Sequence, residues 1–168
     1  MAELQKLLAE KLAEVIDETL ENMAFISTEE VDTAQPPLLT EDMRAACLLT
    51  TAPIVMEIRL SMAEDLLRQI VETMYTIDAE DITQEQIVDL LAETLNTLAG
   101  RLMSELLPAD QAFSLSLPET VVNNLNAADD NTIFATWYMA DGLPISVKIS
   151  AATPEELQTC LNSAQHIH

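Results

Sequence analysis

One stretch of the chain places two carboxylates and an amide at helical spacing. Asp89, Glu93 and Asn96 lie in the segment "DLLAETLNTLAG", residues 89–100. At about 100° per residue these side chains and Gly100 form one line along a helix, opposite its apolar residues. Asparagine is a weak helix former because its amide competes for backbone hydrogen bonds. Asn96 is therefore either a tolerated surface residue or an amide that another molecule uses.

Two further residues favour a surface that a partner contacts. Gly100 stands inside the predicted helix, where glycine costs about 1 kcal/mol relative to alanine, and it leaves room for another molecule to approach. Met103 falls about 40° from Asp89 by the same periodicity, so we expect it to be exposed and to offer an apolar contact. The alternative interpretation is the solvated polar face that every amphipathic helix carries.

The helix that carries these residues belongs to a mixed pattern of helices and strands. Capping boxes at Ser61–Glu64 and Thr83–Gln86 predict helices that run to about Tyr75 and to Leu107. The remaining predictions are a helix at 2–23, a short helix that begins at Thr153-Pro154, and strands at 43–50, 53–60, 112–120, 132–140 and 143–150. Asp141-Gly142 predicts a hairpin between the last two strands. Strands grouped between helices predict an α+β fold with a mostly antiparallel sheet.

The two long helices also share a tripeptide. Glu18-Thr19-Leu20 in the first matches Glu93-Thr94-Leu95 in the second, and each helix is followed by strands. This order indicates an internal duplication of a helix-plus-strands unit. With 168 residues and 49% apolar composition, we expect a single domain, residues 1–168, with a core of its own.

Charge narrows the classes of partner. Seven Lys plus Arg face 29 Asp plus Glu, a net charge of −22. Such a surface repels nucleic acid, anionic lipid and free phosphorylated metabolites. The acids are either a solubilising coat or a means of docking on a partner that presents positive charge. The apolar runs are too short to cross a bilayer and the N-terminus lacks a signal-peptide pattern, so we expect a cytoplasmic protein.

The sequence offers no pattern typical of a metal or redox site. Cys47 and Cys160 have no CxxC spacing and are expected to be buried or free thiols. His166 and His168 are expected to lie in a frayed tail without ligand-spaced partners.

The pattern Asp89-x-x-x-Glu93-x-x-Asn96, followed 22 positions later by Pro118, resembles the signature of the CheC/CheX chemotaxis phosphatases. That signature is an acidic residue or Ser, then Glu, then Asn, then a proline at about that distance. The resemblance implies a CheC/CheX-like fold, with two long helices on one face of the sheet.

The resemblance also implies a chemistry, hydrolysis of the aspartyl phosphate of a CheY-type response regulator. Asn96 would enter the regulator's active site and hold the attacking water, while Glu93 would pair with the regulator's active-site lysine. Asp89 would add to the docking face, and Pro118 would be structural. This chain would need no cofactor, because the regulator supplies the Mg²⁺.

The first helix presents a degenerate copy of the motif. Glu14, Glu18 and Glu21 stand in register, with a glutamate where the second helix has Asn96. We therefore expect one centre per chain, as in the CheX branch, whose members also tend to form homodimers. A second hypothesis is a non-enzymatic module that binds the regulator or resembles a flagellar-switch domain. A third is an acidic α+β domain with an accidental motif match.

Overall fold

The computed structural model describes residues 1–32, 37, 42–121 and 130–165 of the chain. The predicted histidine tail, His166 and His168, lies outside these ranges. The helices and strands in chain order are α1 Ala2–Ala24, β1 Thr28–Val31, β2 Met43–Ala52, β3 Met56–Ala63, α2 Glu64–Tyr75, α3 Gln84–Leu106, β4 Ser114–Leu115, β5 Glu119–Val121, β6 Thr132–Ala140, β7 Leu143–Ser150 and α4 Pro154–Gln165. A short 3₁₀ turn, Ala79–Asp81, precedes α3.

The strands form one sheet in which every pair is antiparallel. Its order is β1-β6-β7-β3-β2-β4, and β5 also pairs with β2, so that β4 and β5 together form one interrupted edge. β1, β2 and β3 of the first half correspond to the β4–β5 edge, β6 and β7 of the second half. When each strand is replaced by its counterpart, the same order is obtained, read from the opposite edge of the sheet. The sheet therefore has a pseudo-twofold axis between β3 and β7, and both the α+β prediction and the predicted duplication are confirmed.

The two long helices lie side by side on one face of the sheet. α1 packs on β1 and β6, while α3 packs on β2 and β3. Along β3 the alternate residues Met56, Ile58, Leu60 and Met62 are buried under the helices, whereas Glu57 and Arg59 on the other face are half-buried. This alternation is the period of two that a strand requires when one face covers a core.

The matching tripeptides occupy the same environment in both helices. Thr19 and Thr94 are each 1% exposed, and their hydroxyls donate to the carbonyls four residues earlier, those of Val15 and Leu90. The following leucines, Leu20 and Leu95, are fully buried. A buried hydroxyl needs such a partner, so both helices present their tripeptide to the core in the same way.

The local signals in the sequence differ in how well they predict helix starts. Thr83 and Gln86 form the predicted capping box, with bonds of 3.2 Å and 2.9 Å in the two directions. The box predicted at Ser61 is wrong, because Ser61 is a buried residue of β3 and α2 begins only at Glu64. The strand continues directly into the helix, and the first amide of α2 donates instead to the carbonyl of Asp42 at 2.7 Å.

The predicted hairpin is confirmed, with Asp141 and Gly142 at φ 48° and 76° between β6 and β7. Other strand predictions need correction in extent. The strand predicted at 112–120 is two short strands, because the chain between Leu115 and Glu119 leaves the ladder. Strand β1 was not predicted from the sequence; it has four residues and, among the described residues, pairs with β6 alone.

An ion-pair cluster ties α2 and α3 to the sheet. The carboxylate of Glu64 accepts from Arg44 on β2 and from Arg68, each at 2.9 Å, and from Gln84 at the start of α3 at 3.2 Å. These bonds, that of Arg68 foremost, hold the pKa of Glu64 below its ordinary value of 4.5. The cluster fixes the N-terminal end of the helix that carries Asn96.

Cys47 and Cys160 are half-buried free thiols, as expected, and burial raises the pKa of the Cys47 thiol. Across the described ranges, no helix combines the length and the apolar character that a bilayer crossing requires.

Candidate active site on the second long helix

The polar line predicted on α3 is exposed in the structure. The side chains of Asp89, Glu93 and Asn96 all face solvent. Within the described part of the chain, no hydrogen bond or ion pair engages any of the three. An amide that is tied to its own chain could not serve a second molecule, so this freedom satisfies a necessary condition for the predicted role.

The support beneath these side chains is rigid. Thr94 and Leu95, directly after Glu93, are buried, and the capping box at Thr83 closes the start of the helix. α3 lies against α1, α2 and strands β2 to β5. Because this helix is packed on several sides, it fixes the positions of Glu93 and Asn96 relative to each other more firmly than a loop would.

A groove runs beside Asn96, between α3 and α1. It measures about 400 Å³ and is lined by Val15, Glu18, Asn96, Thr97, Gly100, Arg101, Ser104 and Glu105. A Cβ added at Gly100 would meet nothing within 4 Å. The prediction that Gly100 leaves open space next to the amide is therefore confirmed, while its use by a partner stays a prediction.

Two ion pairs join the two helices at this groove. Arg101 Nη1 lies 3.4 Å from Glu18 Oε2, and Lys11 Nζ lies 3.3 Å from Glu105 Oε2. The hydrogen bond to Glu105 is the main cause that raises the pKa of Lys11. As residue numbers rise in α1 they fall in α3, so the two helices are antiparallel.

The two copies of the motif differ in the pairing of their glutamates and in the residue that corresponds to Gly100. Glu18 is the counterpart of Glu93, and it pairs with Arg101, whereas Glu93 is unpaired within the described residues. The position of Gly100 is occupied in the first copy by Phe25, which ends α1 in a left-handed conformation and is 81% exposed.

Met103 does not belong to the exposed face, and that prediction is wrong. Its side chain is only 1% exposed. The buried side of α3 turns along the helix, from Leu90 and Thr94 in the first half to Ala99 and Met103 in the second. A helix that packs on a sheet and on two other helices has no single core direction, which a helical projection assumes.

Pro118 lies in the break between β4 and β5, away from any regular pairing. Two residues earlier, Ser116 donates its amide to the Leu49 carbonyl at 2.7 Å and accepts from the Leu49 amide through its hydroxyl at 2.9 Å. Proline lacks an amide donor and so suits a residue where the ladder is interrupted. A structural role for Pro118 stays a prediction.

Arg101 is a groove residue that the sequence did not indicate, and it pairs with Glu18, which was assigned above to the degenerate motif alone. The polar line was derived from α3 alone, and Arg101 lies about 140° from Asn96 by helical periodicity. The groove exists only because α1 lies alongside. The shared Glu-Thr-Leu tripeptide was the one signal that could have indicated two equivalent helices in contact.

The family model "Chemotaxis phosphatase CheX" matches residues 45–133, more than half of the chain. The chain belongs to the CheX family. The matched region contains Glu93, Asn96 and Pro118, whereas α1 precedes it. A search of curated proteins found no match.

Solved structures with the CheX fold resemble this chain over most of its length. The chemotaxis protein CheX from Vibrio vulnificus is 14% identical with a TM-score of 0.68, covering 85% of this chain and 97% of that protein. CheX in a CheX-CheY-BeF3-Mg complex from Borrelia burgdorferi is 16% identical with a TM-score of 0.60, covering 84% and 96%. FliY from Thermotoga maritima is 15% identical with a TM-score of 0.62, covering 98% of both chains. At such identities the likeness establishes the CheX fold alone.

Proposed function

We propose that this chain hydrolyses the aspartyl phosphate of a CheY-type receiver domain. The observation that carries the proposal is the unpaired, exposed amide of Asn96 on a rigid helix, three residues after an equally unpaired Glu93. Membership of a family described as chemotaxis phosphatases and the fold of a CheX protein captured with CheY support it.

The proposed reaction requires no covalent bond between this chain and the substrate. An acyl phosphate has a good leaving group, and the receiver's Mg²⁺ and lysine neutralise the phosphoryl oxygens. Water attacks phosphorus, the bond to the aspartate oxygen breaks to leave a carboxylate, and both protons of the water leave with the inorganic phosphate as H2PO4−. What remains is to hold the water in line, which is worth several powers of ten when the geometry is fixed.

Asn96 is suited to that task because its amide both donates and accepts hydrogen bonds and is uncharged. A carboxylate in its place would repel the phosphoryl oxygens. Glu93, on the same side of α3, would pair with the receiver's lysine, and Asp89 would extend the docking face. The acidic surface would steer the chain towards that cationic centre.

The decisive experiment is the Asn96→Ala variant in an assay of phosphate loss from a phosphorylated CheY-type receiver. We expect the rate to fall about tenfold to a thousandfold, or about 1.4–4 kcal/mol of barrier, with an unchanged circular dichroism spectrum. Asn162→Ala, which removes an exposed amide from α4, is the matched control and should keep the full rate. An unchanged rate in Asn96→Ala would contradict the mechanism.

The second candidate is a module that binds the receiver without hydrolysis. The fold is also that of FliM in a FliM-SpeE complex from H. pylori, and one fold can serve several functions. Complex formation with the receiver in its BeF3 and Mg²⁺ form, without faster phosphate loss from the phosphorylated form, would identify this case.

The family resemblance also supports a cytoplasmic homodimer. Light scattering of the purified chain at several concentrations tests the oligomeric state, and a mass of one chain at all of them would contradict it.

A further inference from the structure

Arg101 is the basic residue of the groove beside Asn96. Of the seven Lys and Arg in the chain, it alone stands on α3, and it alone lines the groove among the described residues. The surrounding surface is acidic, with a net charge of −22 over the whole chain. Arg101 is therefore the favourable electrostatic contact for any anionic group of a partner that enters the groove.

The present partner of Arg101 is easily exchanged. The distance of 3.4 Å to Glu18 is long for a charged hydrogen bond, and the two side chains are 38% and 68% exposed. Exposed pairs of this kind contribute little because water screens them and long side chains lose freedom. The other groove carboxylate, Glu105, is already paired with Lys11, so Glu18 is the residue that competes for the guanidinium.

Receiver phosphorylation sites are rich in carboxylates, because Mg²⁺ is held by oxygen ligands. If Asn96 reaches the phosphoryl group, the receiver surface around that group lies over the groove. A guanidinium matches a carboxylate with two parallel hydrogen bonds, which lysine cannot do.

We propose, on the basis of the function proposed above, that Arg101 is a recognition residue that exchanges Glu18 for an acidic side chain of the receiver beside its phosphoaspartate. Glu18, the counterpart of Glu93 in the degenerate motif, acts as an internal competitor. It holds the guanidinium when no receiver is bound and lowers the affinity for one. The exchange breaks and forms only ion pairs.

Opposite effects of the two substitutions test this inference. Arg101→Gln should raise both KM for the phosphorylated receiver and Kd for the receiver in its BeF3 and Mg²⁺ form by about two- to fivefold, with kcat unchanged. Glu18→Gln should lower both by a similar factor, because Arg101 is then free. Arg101→Lys should restore part of the loss. In the double variant the gain from Glu18→Gln should disappear.

The ion pair Lys6–Glu10 supplies matched controls. It lies on α1, outside the groove lining, and its side chains are 79% and 60% exposed. Lys6→Gln and Glu10→Gln change the net charge by the same amounts as the groove variants, so they report the general effect of charge on association.

The outcomes separate the two proposals. If the Arg101 and Glu18 variants match their Lys6 and Glu10 controls while the wild type binds and hydrolyses, this inference is wrong and the proposed function stands. A change in kcat rather than in KM and Kd would also overturn it. If the wild type neither binds the receiver nor speeds phosphate loss, the proposed function itself fails.

Discussion

At the scale of single residues, Asn96 and Gly100 are both poor choices for an isolated helix. Each lowers helix stability relative to alanine, and neither is needed by the packing, since Asn96 faces solvent and Gly100 borders open space. Residues that lower the stability of their own helix and make no packing contact in exchange are expected at surfaces that bind another molecule.

The Gly100→Ala variant, which adds one methyl group, tests whether Gly100 serves contact with a partner rather than helix stability. We expect the free energy of unfolding to rise by about 0.5–1 kcal/mol, because alanine is the better helix residue and its Cβ meets no neighbour. We expect kcat/KM for the phosphorylated receiver to fall about three- to thirtyfold, because the methyl group displaces the receiver from Asn96. Chemical denaturation and phosphate release measure the two quantities. Higher stability with an unchanged rate would indicate that the receiver does not approach Gly100.

Residue spacing predicted the exposed line of Asp89, Glu93 and Asn96, because solvent exposure in the first half of α3 follows a single helical face. It failed for Met103, whose environment depends on helices and strands that pack further along. It also missed Arg101, whose partner Glu18 is 83 residues away in sequence.

At the scale of elements, α1 and α3 are two versions of one helix. Their buried tripeptides match, but their exposed faces differ at the three positions that matter for the proposed chemistry. In α1, Glu21 replaces the amide, Glu18 is paired with Arg101, and Phe25 stands where α3 has Gly100. The first copy therefore lacks the amide, the free carboxylate and the glycine.

Restoring the amide alone should not restore a centre. In an Asn96→Ala background, we expect Glu21→Asn to leave phosphate release at the low rate of the single variant, because the paired Glu18 and the exposed Phe25 remain. Wild type and Asn96→Ala in the same assay set the upper and lower limits. Recovery of more than a small fraction of the wild-type rate would show that the amide is the only defect of the first copy.

The Glu64 cluster gives the elements a pH dependence. A carboxyl group whose pKa is lowered on folding adds stability above its ordinary pKa of 4.5 and loses it as the pH falls through its folded pKa. We expect Glu64→Gln to lower the free energy of unfolding by about 2 kcal/mol at pH 7, since charged hydrogen bonds to Arg44 and Arg68 are lost. Below pH 4.5 the gap to the wild type should narrow.

Urea denaturation from pH 7 down to pH 3 measures that gap. Glu80→Gln removes an exposed carboxylate from the 3₁₀ turn and is the control. A constant gap across this range would show that the charge of Glu64 does not provide the stability.

Local chemistry explains which elements the sequence predicted. The capping box at Thr83 and the Asp141-Gly142 turn are set by a few adjacent residues. The edge strand β1 is set by its partner β6, more than a hundred residues away, and its four residues carry little signal. Ser61 fits a capping box by type, but strand pairing with Ala45 and Ser146 overrides that local preference.

At the scale of the whole molecule, the acidic surface repels itself. We expect the melting temperature to rise by about 2–8 °C between low salt and about 0.5 M NaCl, because screening relieves this repulsion and each kcal/mol corresponds to about 2–4 °C at this size. Differential scanning calorimetry measures the shift. A triple variant, Glu80→Gln, Asp110→Asn and Asp130→Asn, neutralises three exposed carboxylates and should respond less to salt. An equal response in both proteins would assign the effect to something other than charge.

The central ladder between β3 and β7 has a consequence for how the chain matures. β1 pairs with β6, and β3 pairs on one side with β7, so both strands need a partner from the second half of the chain. During synthesis, β1 and the edge of β3 away from β2 must stay unpaired until β6 and β7 leave the ribosome. Pairing between strands that are distant in sequence slows folding, and it leaves unpaired strand edges exposed to aggregation with other chains. A nascent chain of this protein should therefore depend on chaperones until its final hairpin emerges.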